Sequence, residues 1–145
     1  MIYFDYAATS LFREDIFEYI YKHLSDFDGN TESTHAYGRS SRKILEEARA
    51  DIGKSLNADP ACIYFNAGAS EGNNTILKSF KANEILTTNI EHSSIQNNLD
   101  DESLIVKVDQ SGIFKLEDII EKISENTKLI SVQYVNNELG TIQPL

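Results

Sequence analysis

Apolar residues recur along this chain at two different spacings, and the change of spacing organises it. Between residues 13 and 24, Ile16, Phe17, Ile20, Tyr21 and Leu24 return every three or four positions, which predicts an amphipathic first helix. Residues 25–38 have no period and read as a loop, long enough in a compact chain to be functional or mobile. Ile44, Leu45, Ala48, Ile52 and Leu56 then mark a long helix that ends before Asn57-Ala58-Asp59-Pro60. From there short β-favouring runs at 62–65, 85–88, 104–108 and 129–135 alternate with helical candidates near 70–81, 92–99 and 116–125. Asp109-Gln110-Ser111-Gly112 is a turn after the third run. No repeat or linker interrupts the series. The expected fold is α/β, a mostly parallel sheet with flanking helices.

Three polar clusters each follow a predicted strand: Asn66-Ala67-Gly68-Ala69-Ser70-Glu71-Gly72-Asn73-Asn74, then Asn89-Ile90-Glu91-His92, then Asn136-Asn137-Glu138. In open α/β sheets the ligand crevice lies beyond the carboxyl ends of the strands, so the three clusters are expected to line one site. Ala67-Gly68-Ala69-Ser70 at the start of a helix would leave backbone N–H groups free for an anion, above all a phosphate. It would equally serve as an ordinary strand-to-helix turn with Ser70 as N-cap. The segment has neither the Gly-Lys-Ser/Thr ending of a P-loop nor the dinucleotide fingerprint.

His92 reads either as a hydrogen-bonded structural residue or as a ring that stacks on a ligand and moves a proton. Asn136 and Asn137 are turn formers or amides that orient a ligand oxygen. His35, in the loop with Asn30, reads as solvated, and His23 as facing solvent from the first helix. The charges of Lys43, Glu46, Glu47 and Arg49 read as a solvated helix face. No spacing of His, Asp and Glu suits a metal, and none is expected.

Composition narrows the possibilities. The 145 residues are 41% hydrophobic, enough for one domain with a real core. A net charge of −10 repels phosphate backbones, so no nucleic-acid partner is expected, whereas small phosphorylated ligands stay compatible through local backbone dipoles. The single cysteine, Cys62, rules out an internal disulfide, suits a reducing cytoplasm, and in an apolar run is expected to be a buried structural thiol. With no apolar run near the roughly 20 residues of a membrane helix and no basic leader, the expectation is a cytoplasmic protein with no membrane partner.

In order, the clusters resemble the N-terminal part of the NifS-like cysteine desulfurases, PLP-dependent enzymes of the class V aminotransferase group. Tyr3-Phe4-Asp5-Tyr6-Ala7-Ala8-Thr9-Ser10 is similar to the family's opening Y-L-D-N-A-A-T-T, and the run from Gly29 to Arg39 resembles G-N-P-S-S-x-H-x-x-G-R, with Thr31-Glu32 in place of Pro-Ser. The run from Ile63 to Asn74 resembles I-x-F-T-S-G-A-T-E-x-N-N, and Thr87-Thr88-Asn89-Ile90-Glu91-His92 resembles T-S-x-x-E-H. The run from Val135 to Pro144 resembles V-N-N-E-I-G-T-I-Q-P, after Tyr134 where the family usually has His.

The resemblance implies a role for each matching residue. Ala69 and Ser70 would hold the phosphate of pyridoxal 5'-phosphate. His92 would stack on the pyridine ring and carry a proton, Asn137 would hydrogen-bond the ring's phenolic oxygen, and Asn30 and His35 would lie on the substrate side. The implied reaction converts L-cysteine to L-alanine, the cofactor acting as electron sink while a catalytic cysteine takes the sulfur as a persulfide and passes it to an acceptor protein, as in iron–sulfur cluster assembly.

The fold implied is the incomplete N-terminal part of a fold type I transferase large domain, with residues 1–15 belonging to the small domain and 16–145 to the PLP-binding large domain. No Ser-x-His-Lys segment for the Schiff-base lysine, no Asp-x-x-Gln segment and no loop for the sulfur-accepting cysteine occur in these 145 residues, so the chain alone is expected to be inactive. In the family the first large-domain strand lies apart from the next three, so the chain is expected to be marginal, to oligomerise, or to depend on a C-terminal half. A selenocysteine lyase or other class V relative, or a non-catalytic interaction module, are the other readings.

Overall fold

The computed structural model describes residues 2–100 and 103–145. It divides into two compact units, Met1–Phe65 and Asn66–Leu145.

In the first unit the predicted helices form. Helix α1 spans Glu14–His23, with Glu14 and Asp15 in its first turn and Lys22 and His23 in its last, an order that complements the helix dipole. Its apolar stripe is present but uncovered: no residue of α1 is buried, and Ile16, Phe17, Ile20 and Tyr21 are all exposed. His23 is paired with Asp26 at 2.9 Å, a polar surface contact.

Helix α2 spans Ala36–Leu56 and begins well before its apolar stripe. His35 caps it, its Nδ1 accepting from the Gly38 N–H at 3.3 Å. The loop before it is pinned rather than loose. The Gly29 N–H donates to the buried Ser41 hydroxyl at 3.0 Å, and Arg42 Nε donates to the Thr31 carbonyl at 2.7 Å. Glycine is required at both ends of this contact: a Cβ on Gly29 would stand 2.2 Å from the Tyr37 carbonyl oxygen, and one on Gly38 2.3 Å from that of Ser33. The helix stops at Asn57, whose φ of 52° and N–H bond back to Lys54 form a left-handed C-cap.

The predicted strand at 62–65 does not form. Pro60–Cys62 is a single 3-10 turn begun by Asp59, and the segment after it pairs with no strand in this unit. A strand needs a neighbour's N–H and C=O groups, and this unit holds no sheet. Instead Arg49 of α2 donates to the Ile63 carbonyl and lies over the Phe65 ring, 5.0 Å from its centre. Arg49 is therefore a brace, not part of a solvated face. Cys62 is exposed, contrary to the expected buried thiol, because it ends a surface turn instead of lying in a covered strand.

The second unit has a three-stranded parallel sheet in the order β2-β1-β3, with β1 at Ile85–Thr88, β2 at Leu104–Val106 and β3 at Leu129–Ser131. Leu86 lies opposite both Leu104 and Ile130. All four residues of β1 are buried, as expected of a central parallel strand covered on both faces. Adjacent residues of β1 point to opposite faces, which gives two cores. Leu86 packs with Val106, Phe114 and Ile119 of α5 (Leu116–Lys122). Ile85 packs with Leu77 of α3 (Ala69–Leu77) and Ile95 of α4 (Ser93–Gln96).

The predicted run 129–135 yields only a short strand, because Val135 turns away to pair antiparallel with Ile142. The turn at Asp109 forms: Asp109 accepts from the N–H groups of Ser111 and Ile113, and Gly112 takes a φ of 76°. No described helix is long and apolar enough to cross a membrane.

Candidate functional site

Beyond the carboxyl ends of β1 and β3, hydrogen bonds tie the three polar clusters together. Asn73 of α3 donates its amide to the Ser94 hydroxyl at 2.8 Å, and Ser94 contacts His92 Nδ1 at 2.8 Å, which joins the first cluster to the second. The Asn136 amide donates to the Ile90 carbonyl at 2.8 Å, joining the second to the third. The second and third clusters come after β1 and β3, as the strand-end rule expects, and the first, which follows no strand, is joined to them through Asn73.

The first cluster opens helix α3. Its N-cap is Gly68, which has a φ of 154° and no side chain to cap the helix, so Ser70 is not the N-cap but sits inside the first turn. The turn satisfies its own earlier donors: Asn66 Oδ1 accepts from the Gly68 N–H at 3.0 Å and Glu71 Oε2 from the Ala67 N–H at 2.6 Å. The next two N–H groups, those of Ala69 and Ser70, have no acceptor within the helix. Both residues are exposed, and beyond Gly68 and its chain neighbours no atom lies within 4 Å of where a Gly68 Cβ would stand. Two backbone donors, a hydroxyl and the positive end of a helix dipole therefore face open space, a cradle that suits a phosphate.

His92 is the N-cap of α4, its Nδ1 accepting from the Ser94 N–H at 3.1 Å, while its ring stays exposed. The edge that carries Nδ1 is held, the hydrogen-bonded structural role that the sequence offered as one of its two readings. Beside it, Glu91 is buried. Its carboxylate accepts from the Thr88 hydroxyl at 2.5 Å and from the Gln133 N–H at 3.1 Å, fastening the end of β1 to the segment that follows β3.

Asn136 and Asn137 separate into different roles. Asn136 is buried and fully engaged: its oxygen accepts from the N–H groups of Glu138 and Leu139, and its amide donates to Ile90 and to Gln133 Oε1. With every donor and acceptor used it cannot orient a ligand. Asn137 is exposed, and its oxygen accepts from Gln133 Nε2 at 3.2 Å, which turns the amide nitrogen outward. Gln143, also buried, bridges the Gly112 carbonyl and the Phe114 N–H and so anchors the end of the chain to this unit.

Ala69, Ser70, His92 and Asn137 thus share the second unit. Asn30 and His35 lie in the first, where Asn30 Oδ1 accepts from the Glu32 N–H and His35 caps α2. Of the residues on which the site depends, Asn73 and Glu91 fall within the quoted motifs, whereas Ser94 and Gln133 carry no motif signal.

The sequence profile of the aminotransferase class-V family matches residues 2–145. The cysteine desulfurase IscS 1 of Archaeoglobus fulgidus is 39% identical over 157 aligned positions, covering 100% of this chain and 41% of that protein. The cysteine desulfurase IscS of Dictyoglomus turgidum is 34% identical, covering 99% of this chain and 40% of its own length. Among solved structures, a NifS-like protein from Rickettsia africae superposes with a TM-score of 0.88 at 32% identity, over 99% of this chain and 42% of that one. SspA in complex with cysteine superposes with a TM-score of 0.84 at 32% identity, over 98% of this chain and 44% of that one. The chain spans about two-fifths of the length of these relatives.

Proposed function

The chain belongs to the class-V aminotransferase family, and from that premise we propose that it is the N-terminal portion of a PLP-dependent cysteine desulfurase acting on L-cysteine. Residues 1–15 form part of the small domain and 16–145 part of the PLP-binding large domain. The observation that carries this reading is the cradle at α3 brought to the same end of the sheet as His92 and Asn137 by the Asn73–Ser94–His92 and Asn136–Ile90 bonds. The relatives named as cysteine desulfurases and the neighbour solved with cysteine support the choice of substrate.

The donors present fit the cofactor's phosphate. The N–H groups of Ala69 and Ser70 and the Ser70 hydroxyl receive it, each charge-assisted bond contributing about 1.5–3 kcal/mol. The His92 ring, fixed at Nδ1, offers its flat face for stacking and its free nitrogen for a proton. Asn137, aimed by Gln133, donates its amide to the ring's oxygen. When bound, the cofactor supplies an electron sink for loss of a substrate proton. The lysine that anchors the cofactor and the cysteine that accepts sulfur belong to the remainder of the enzyme, so the 145-residue chain binds without turning over. A sulfur-acceptor protein then engages the whole enzyme, in the cytoplasm.

Titrating PLP into the chain and following its absorbance tests the proposal. Saturable binding is expected, weakened about tenfold by Ser70→Ala and comparably by His92→Ala, an order-of-magnitude loss matching one charge-assisted bond. Absence of saturable binding, or binding indifferent to both substitutions, contradicts it, as does sulfide release from cysteine by the purified chain.

A further inference from the structure

We propose that Asn73 and Ser94 act together to set the tautomer of His92, so that the imidazole carries its proton on Nε2, the edge turned to open space. The donation runs in one direction. The Asn73 amide nitrogen lies 2.8 Å from Ser94 Oγ and has only protons to give. A hydroxyl that accepts from an amide keeps its own proton free to donate, and the acceptor waiting at 2.8 Å is His92 Nδ1. The Ser94 backbone N–H, 3.1 Å away, donates to the same nitrogen. A ring nitrogen that receives two donors is unprotonated, and a neutral imidazole must then hold its proton on the other nitrogen.

A capping role alone does not account for this arrangement. An N-cap histidine needs the backbone N–H of Ser94 and nothing more. The hydroxyl and the amide add a second donor, and the amide comes from a different helix, 21 positions earlier in the chain. Ser94 is 8% exposed, so water does not compete for its hydroxyl. Ser94 touches His92, and Asn73 acts on it through Ser94, so both are positioning residues. Their effect on chemistry rests on the proposed function: with a ring stacked on His92, the atom that gives or takes a proton is Nε2, because Nδ1 is already engaged.

The test is made on the full chain without PLP, so that it stands apart from cofactor binding. With the histidine rings labelled with nitrogen-15, two-bond proton–nitrogen correlations are recorded at a pH where the imidazole is neutral. The expected wild-type spectrum has Nδ1 at the position of an unprotonated acceptor and Nε2 at that of a protonated nitrogen. Ser94→Ala, which keeps the backbone donor, is expected to move both resonances toward the averaged positions of an exchanging imidazole. Asn73→Asp is expected to do the same while keeping the hydroxyl, because a carboxylate draws the Ser94 proton to itself. Amide resonances of β1, recorded on uniformly nitrogen-15-labelled samples of each variant, report folding.

A wild-type proton on Nδ1, or unchanged ring resonances in a folded variant, overturns the proposal. If neither variant folds, a wild-type proton on Nδ1 still overturns the proposal. Absence of PLP binding with the Nε2 proton in place would remove the desulfurase reading and leave this one standing.

Discussion

The two units use similar numbers of apolar residues to opposite effect. In Asn66–Leu145, Leu77, Ile85, Leu86, Ile95, Val106, Phe114 and Ile119 are buried on both faces of a parallel sheet. In Met1–Phe65 the only buried residues among those described are Gly38, Ser41 and Gly53, while Phe4, Phe12, Phe17, Tyr21 and Tyr64 are exposed. The difference follows from architecture. A strand such as β1 can be covered on both sides within 80 residues of chain, whereas no residue of α1 is buried and Tyr64 and Phe65 stay exposed even with Arg49 over the Phe65 ring. The candidate site is built wholly from the unit that has its own core. Exposed apolar area on this scale marks a surface made to be covered, which agrees with a chain that spans about two-fifths of its relatives.

The sharpest way to break this contrast is a pair of truncations. Leu86→Ala should cost about 2–5 kcal/mol of unfolding free energy, as a fully buried leucine in a packed core does. Ile20→Ala, on the exposed stripe of α1, should stay within about 0.5 kcal/mol. Denaturant titration measures both, and equal effects would remove the distinction between the units. Next in size is Glu91→Ala, which strands the Thr88 hydroxyl and the Gln133 N–H at about 1–3 kcal/mol for each donor left unpaired. It should also weaken PLP binding by loosening the segment that aims Asn137, and Glu91→Gln should restore part of both losses.

The smallest effect is set by pH. The Ser111 hydroxyl, then the N–H groups of Ile113 and Ser111, hold the Asp109 carboxyl below its ordinary value. The stabilisation of that turn is therefore present above the ordinary carboxylate range and disappears as pH falls through the lowered value. Faster amide exchange at Gly112 and Ile113 under acid, before the sheet is affected, is the expected signature. Asp109→Asn, which cannot titrate, should remove that onset.

The sequence was most legible where composition and environment agree. Residues 85–88 are apolar or β-branched throughout and are buried throughout, so the predicted strand has the observed bounds. Residues 62–65 carry the same signal without forming a strand, because pairing depends on a neighbour that no local pattern reports. The long helix was placed but its start was not: His35 is not a favoured N-cap type, and the packing of Gly29 and Gly38 that brings the loop onto the helix is a matter of space rather than hydropathy. At the site, motif singled out Ala69, Ser70 and Asn137, which the structure leaves exposed. The pairings behind them did not stand out, since Gln133 to Glu91 and Asn136 to Ile90 span 42 and 46 positions.

Hydrogen exchange of the full chain, measured residue by residue with and without PLP, tests most directly the claim that the self-supporting unit carries the cofactor site. The account predicts that β1 amides are the most protected in both conditions. It also predicts that PLP slows exchange at Ala69 and Ser70 while leaving α1 unchanged. Exchange at Ala69 and Ser70 indifferent to PLP, or β1 exchanging as fast as α1, would contradict it.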